Sequence, residues 1–293
     1  MKMKKIVLVS CVGAALIGLG FGLSNAMADE EYVSIPNPDV KAEIINVLEG
    51  NELIGEDVLS NLRNFHYVSK GALQEIADYG YLSIQSKNYE NPENTSLEGL
   101  QGLAIETLNI DTPLIDITPL SKVSGVRSLS LTDQYNNLGY THGIRNLDVL
   151  KGWTALEEFN FCNGSMNGVE DLKEKEPLLD ISALSNIETL RYICVETAGS
   201  LDPIYLTAED NNYETTLPIV LSTHFNSVDS WYVDSENPSY IRKEYEGDEQ
   251  QKMSDKLRWE NIEEGTEYLD VWVQIQPRGQ YYIADLRIPI IWE

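Results

Sequence analysis

Residues 105–110 read IETLNI, 126–131 read VRSLSL, 156–161 read LEEFNF and 190–195 read LRYICV. Each hexad has apolar residues at its first, fourth and sixth places: Ile105, Leu108, Ile110; Val126, Leu129, Leu131; Leu156, Phe159, Phe161; Leu190, Ile193, Val195. The last two of each set alternate along the chain, which in extended backbone puts both on one side. Three hexads are entered through turns of similar wording: Asp116-Ile117-Thr118-Pro119-Leu120, Leu147-Asp148-Val149-Leu150 and Asp180-Ile181-Ser182-Ala183-Leu184. After each turn apolar residues recur at three-residue steps, Val123 and Val126, Trp153 and Leu156, Ile187 and Leu190. A strand pattern that returns with the same turn is a structural repeat, and one unit this short cannot bury its own apolar face. The expected structure is a stack of coils whose short parallel strands share one core.

The spacing is irregular. Leu108, Leu129, Phe159 and Ile193 stand 21, 30 and 34 residues apart in turn. The surplus falls in residues 132–146 and 163–177, which are polar and turn-rich and read as loops off the coils. A weaker unit precedes, Leu82-Ser83-Ile84 with Leu97-Glu98-Gly99-Leu100, and a weaker one still is Leu59, Leu62, Phe65 and Tyr67. Ahead of these, Asn37 is an N-cap and Pro38 a first helical residue, followed by Val40, Ile44, Ile45 and Leu48 on one face and Gly50 as a stop. Ile54, Val58, Leu59 and Leu62 suggest a second helix; together the two would cap the open end of the first coil. Beyond Leu206 the texture changes to short β-rich runs: Pro218 to Leu221, Ser230 to Val233, Tyr240 to Arg242, Lys256 to Trp259, Tyr268 to Ile275 and Tyr281 to Trp292. Tyr268 to Ile275 and Tyr281 to Trp292, joined through Pro277-Arg278-Gly279, read as a hairpin, and four of the five tryptophans supply bulk for a small β core.

The chain has 293 residues, 42% of them apolar, enough for a sizeable core and about two domains. MKMKK is a basic start, residues 6–23 are almost purely apolar, and Ala26-Met27-Ala28 sets small residues where a signal peptidase reads. Residues 1–28 are therefore expected to be a signal peptide. A lipobox-like Leu8-Val9-Ser10-Cys11 also occurs, but lipidation there would leave the apolar run 12–28 on the product. With no second apolar run of about 18 residues, the product is expected to be secreted, extracellular, monomeric and without a stable membrane anchor. The charge is −26, from 47 Asp and Glu against 21 Lys and Arg, and loss of Lys2, Lys4 and Lys5 makes it more negative. Such a field repels nucleic acid and acidic lipid and complements a basic patch on a protein partner.

No catalytic, metal or cofactor residue is assigned. His66, His142 and His224 stand far apart, no nucleophile or phosphate-loop motif occurs, and the paired carboxylates read as solvated surface. In the expected register, strand residues between the anchors face outward: Thr107, Asn109, Asp111; Ser128, Ser130, Thr132; Glu158, Asn160, Cys162; Tyr192, Cys194, Glu196. Of these, Asn109, Asp111, Ser128, Ser130, Glu158, Asn160, Tyr192 and Glu196 are the candidate partner-binding residues, with Tyr135 and Tyr140 on the first inserted loop. Cys162 and Cys194 share that face two residues out of line. Strands ~4.8 Å apart with ~3.3 Å per residue separate their Cα atoms by about 8 Å, which makes a disulfide marginal, so two free or loosely placed thiols are expected.

The order of leader, proline-started helical cap, leucine-rich coils with Asp-Ile-x-Pro-Leu turns, and a β module containing Leu257-Arg258-Trp259 and a closing hairpin resembles the internalin family of Gram-positive bacteria. The resemblance implies an α+β molecule: a leucine-rich repeat solenoid with an N-terminal helical cap, followed by an all-β immunoglobulin-like domain. The corresponding divisions are 1–28 (signal), 29–95 (cap and first irregular coil), 96–206 (repeats) and 207–293 (immunoglobulin-like). It further implies a non-enzymatic virulence factor that grips a host protein through the solenoid face. The family's asparagine, five residues after the first strand leucine, is replaced by Pro113, Gln134, Gly164 and Ala198, so other residues must satisfy the buried backbone there. The rival reading is a carbohydrate or cell-wall binder using aromatics of the β module; a hydrolase built on scattered carboxylates stands third.

Overall fold

Helix α1 (Pro38–Gly50) starts where the sequence places it, in a computed structural model that describes residues 32–64, 67–85, 96–112, 116–132, 144–163, 176–225, 231–234, 257–277 and 279–293. The Asn37 side chain accepts hydrogen bonds from the backbone N–H groups of Asp39 (2.9 Å) and Val40 (3.3 Å). Its Nδ2 donates to Ser96 O at 2.9 Å, so the cap also ties the helix to the first coil. Val40, Ile44 and Leu48 are fully buried. Around α1 stand α2 (Glu56–Asn64), a small antiparallel pair of β1 (Tyr32–Ser34) with β2 (Tyr67–Ser69), and α3 (Lys70–Tyr79). Leu59 lies in α2 and Tyr67 in β2, so the weakest expected coil is instead part of the cap; Phe65 lies outside the described residues. Helix α3 has no counterpart in the sequence reading.

From β3 (Tyr81–Gln85) the chain makes parallel strands in register: β4 (Thr107–Asp111), β5 (Ser128–Thr132), β6 (Glu158–Cys162) and β7 (Tyr192–Ser200). Leu82, Leu108, Leu129, Phe159 and Ile193 form one column across the sheet, and Ile84, Ile110, Leu131, Phe161 and Val195 the next. All ten are at most 2% exposed. Each fully buried Leu, Ile or Phe is worth about 2 kcal/mol against exposure, and in-register pairing sets the anchors of β4, β5 and β6 between homologues on both sides. The weaker unit at Leu82 to Leu100 is therefore a true first coil.

The turns between coils share a device. Oδ1 of Asp116 accepts from Thr118 N (2.8 Å), Oδ1 of Asn146 from Asp148 N (3.1 Å) and Oδ1 of Asp180 from Ser182 N (2.9 Å), each starting a short 3-10 turn: Thr118–Lys122, Asp148–Leu150 and Ser182–Asn186. Ser96 Oγ does the same for Glu98 N at 3.1 Å. These side chains satisfy backbone donors that the reversal leaves without partners. The path continues one turn beyond the last expected hexad. Val220 bridges to Asp180, and the 3-10 turn Thr223–Phe225 follows. Pro218 to Leu221, expected as a β run, is thus the entry to another turn of the stack. Tyr240 to Arg242 lies outside the described residues.

The missing asparagine ladder is remade one residue earlier. Thr112, Asn163 and Thr197, each two residues after the last anchor of its strand, are among the few buried polar side chains described. Asn163 Oδ1 accepts from Ala198 N (2.8 Å), and its Nδ2 donates to Ala198 O (3.2 Å) and Glu176 O (3.1 Å). Leu178 N donates to Thr197 Oγ1 at 2.7 Å.

After β7 come β8 (Ile204–Leu206), β9 (Tyr213–Thr215), β10 (Trp231–Asp234), β11 (Leu257–Trp259), β12 (Tyr268–Ile275) and β13 (Gln280–Trp292). The expected hairpin is β12–β13, antiparallel from Tyr268↔Pro289 to Ile275↔Tyr282. The sheet does not stop at the boundary expected near Leu206. Strand β13 lies parallel to β7, with Tyr281 opposite Cys194 and Ile283 opposite Glu196, so one sheet of order β10-β12-β13-β7-β6-β5-β4-β3 spans repeats and C-terminal strands. Tyr282 extends the inner column after Val195, and its buried hydroxyl donates to Leu178 O at 2.9 Å. The pair β9–β11 holds Trp259, fully buried and stacked on Tyr213 at 5.9 Å. The result is a β-rich repeat fold with few helices and one contiguous core. Among the described residues no helix is long and apolar enough to cross a membrane.

Two substitutions test this architecture. Asn163→Ala strands the Ala198 backbone groups and is expected to cost about 2 kcal/mol or more; an unchanged denaturation midpoint would refute the ladder role. Gly99 has φ +100°, and a Cβ there would sit 2.6 Å from Ser34 O and overlap the Ile35 side chain. Gly99→Ala is expected to destabilise by about 2 kcal/mol, whereas Gly152→Ala, with open space around it, should leave urea unfolding almost unchanged.

Candidate functional site

The parallel strands present every second side chain on the face opposite the core. Three rows run across the sheet: Tyr81, Thr107, Ser128, Glu158, Tyr192; then Ser83, Asn109, Ser130, Asn160, Cys194, Tyr281; then Gln85, Asp111, Thr132, Cys162, Glu196, Ile283. Asn109, Asp111, Ser128, Ser130, Glu158, Asn160, Tyr192 and Glu196 thus lie on one surface, as their register predicts. Tyr135 and Tyr140 lie outside the described residues. Tyr81 and Tyr281 belong to the same surface but escape the sequence reading. Tyr81 sits on the coil taken as weak, and Tyr281 arrives from a strand 87 positions beyond its neighbour Cys194.

Short polar contacts link the strands across this face. Asn109 Nδ2 donates to Tyr81 Oη (3.4 Å), Ser128 Oγ to Glu158 Oε2 (3.3 Å) and Asn160 Nδ2 to Ser130 Oγ (3.4 Å). Cys162 Sγ stands 4.0 Å from Glu196 Oε2. Three carboxylates stand in the outer two rows, Glu158 in the first and Asp111 and Glu196 in the third, and no Lys or Arg stands in any of the three. The cations lie instead along the edge where the strands begin. There Glu106, Arg127, Glu157 and Arg191 each precede a strand and alternate in sign, with Arg127 Nη2 2.6 Å from Glu157 Oε1. That exposed pairing neutralises the edge and leaves the face negative.

The face is not uniformly open. Tyr192 is 46% exposed, while Ile283 and Ala198, which share the parity of Glu196, are 2% and 5% exposed. Its titrating groups follow from these surroundings. The Tyr192 hydroxyl hydrogen-bonds to the Cys194 thiol, and this bond, with the nearby Glu196 and Glu158 charges, pushes the phenol above its ordinary range. Burial raises the Cys194 thiol, an effect reinforced by Glu196 and partly offset by the Tyr192 bond. Burial, with Glu196 behind it, raises Tyr281. All three groups stay protonated at neutral pH.

Asn160 pairs with Cys194 and Cys162 with Glu196, so the two cysteines are two residues out of line, and neither is in a disulfide. Among the described residues no group of three His, Cys, Asp or Glu side chains is placed to hold a metal ion.

No protein-family model and no curated protein matches the chain. Among solved structures it is similar to the functional domain of InlJ from Listeria monocytogenes, which includes a cysteine ladder. That likeness has 13% identity and a TM-score of 0.25, covering 71% of this chain and 56% of the other. It is also similar to the structure of CBM51-2 in complex with GlcNAc and INT domains from Clostridium perfringens ZmpB, at 12% identity and a TM-score of 0.35, covering 85% and 50%. The chain thus spans about half the length of these structures.

The raised Cys194 thiol has a direct chemical readout. Because the folded chain holds that proton more tightly than the unfolded chain does, thiolate forms only at higher pH. In a chain from Asp29 onward carrying Cys162→Ser, so that Cys194 is its one thiol, iodoacetamide should modify folded Cys194 more slowly than the urea-unfolded chain near pH 8. The folded rate should keep rising where the unfolded rate has levelled; coincident pH profiles would refute the raised thiol.

Proposed function

We propose that this chain is a secreted, non-enzymatic binding protein of the internalin-like, leucine-rich-repeat kind, which recognises a protein with a basic patch through the open face of its parallel strands. One observation carries the reading. The face holds Asp111, Glu158 and Glu196 among short hydrogen-bonding side chains, while the arginines nearest to it are drawn to the strand edge. An uncompensated acidic surface on a rigid scaffold costs self-repulsion in the free protein, and a cationic partner removes that cost on binding.

A host protein is the natural partner class for a secreted molecule of this kind, with the C-terminal strands as a rigid immunoglobulin-like support. The carbohydrate reading loses two of the tryptophans it would use. Trp259 is in the core, and Trp292 Nε1 donates to Thr266 O at 2.8 Å.

The test is an array of purified extracellular proteins probed with the full chain and with Glu158→Lys and Asn160→Arg variants. Binders should carry basic surfaces, lose about tenfold or more in affinity to either variant, and weaken as ionic strength rises to physiological levels. Binding indifferent to both substitutions and to salt would overturn the assignment of this face.

A further inference from the structure

The same sheet already holds one arginine in a way that can be compared with its open face. On β13, Arg287 stands opposite Asp270 of β12, with Nε 3.1 Å from Asp270 Oδ1 and its guanidinium carbon 3.7 Å from the centre of the Tyr268 ring. Tyr268 and Asp270 are two residues apart on one strand and therefore on one side of it. The guanidinium bonds to the carboxylate beside it while its flat face stacks on the ring, using both of its recognition modes at once. Arg287 pairs with Ser200, which has the parity of Glu196 on β7. This arrangement thus lies on the same side of the sheet as the proposed docking face.

A second set of such side chains stands at the seam of β7 and β13, and among the described residues no arginine is bonded to it. Tyr192 has Glu158 directly beside it on β6, Glu196 four residues along its own strand, and Tyr281 diagonally across on β13. The Tyr192 ring is 46% exposed, and the Glu196 and Glu158 charges both act on its phenol. Neighbouring strands are ~4.8 Å apart, so a guanidinium stacked on Tyr192 has the Glu158 carboxylate within reach. The other end of the row differs. Tyr81 meets Asn109, a neutral amide, and has no carboxylate in its own row among its near neighbours.

We propose that Tyr192, Glu158, Glu196 and Tyr281 form a subsite for an arginine side chain presented by the partner protein. The inference rests on the reading of this face as a protein-docking surface and adds which residue type anchors the contact and where. It places the anchor at the junction of repeats and C-terminal strands, off the centre of the repeat stack.

Panning a random peptide display library against the full chain tests it, with Tyr192→Leu, Tyr192→Phe and a Glu158→Gln/Glu196→Gln double variant as counter-targets. Thermal unfolding confirms that each variant is folded. Enriched peptides should contain arginine and lose about tenfold in affinity when it is replaced by norleucine, with lysine intermediate. Tyr192→Leu and the double variant should show a similar loss, and Tyr192→Phe should bind within about twofold of the original, because the ring and not the hydroxyl makes the contact. Enrichment of peptides without arginine that still depend on Tyr192 and Glu158 would overturn the subsite and leave the docking face standing. Peptides indifferent to all three variants, or no enriched peptide, would overturn both.

Discussion

Parallel strands taken from successive coils must pair without slipping, because a shift of one residue would send every buried anchor to the solvent side. In this molecule the two anchor columns leave no room for such a shift. Leu82 to Ile193 and Ile84 to Val195 alternate with polar residues on every strand, and both columns are sealed from water. The turns follow from the same requirement. Asp116, Asn146 and Asp180 use one side-chain oxygen each to satisfy the reversing backbone, so each coil re-enters the sheet at the same height. Once the register is fixed, the outward residues are ordered as well, and the rows from Tyr81 to Tyr192 and from Asn109 to Cys194 follow without further adjustment.

This explains which parts were legible in the sequence. The anchors, the outward face and the two-residue offset of Cys162 and Cys194 all follow from strand periodicity, which insertions between coils do not disturb. The Asn37 cap was legible because an N-cap is a local signal. Three features were not. Helix α3 has only Ala72, Leu73 and Ile76 as buried residues, too short a stripe to stand out. The turn at Val220 was hidden by Pro218 and a run of β-branched residues that read equally well as a strand. The sequence shows the family's asparagine replaced at Pro113, Gln134, Gly164 and Ala198 and requires other residues in its place, but it does not name them, because Asn163 reaches Ala198 only across two strands.

Charge is distributed by the same geometry. An acidic chain has to place its carboxylates somewhere, and among the described residues they are spread over helices, turns and strands. The strand edge pairs them, with Arg127 on Glu157 and the alternation continued by Glu106 and Arg191. Edge pairs of this exposure contribute little to stability, yet they decide where positive charge is not. Arg127 bonds to Glu157, which faces the edge, and not to Glu158, which faces outward one residue later. Alternation along the strand therefore separates a neutralised edge from a negative face, and it does so with adjacent residues.

The step least accessible to sequence reasoning is the joining of β13 to β7. Nothing local in residues 280–292 specifies a parallel neighbour far earlier in the chain, and the hairpin with β12 accounts for their alternation by itself. What selects the partner is completion of the core. Ile193 and Val195 would otherwise end the two anchor columns at an open sheet edge, and edges of that kind invite pairing. Tyr282 closes the second column, with its hydroxyl on Leu178 O, while Gln280 closes the first and donates to Arg191 O at 3.2 Å. The need to cover the last coil thus brings Tyr281 beside Cys194, and with it the second aromatic ring of the seam. The part of the face best furnished to hold a cation is in this way a by-product of how the stack is ended, and it exists only when β13 is paired with β7.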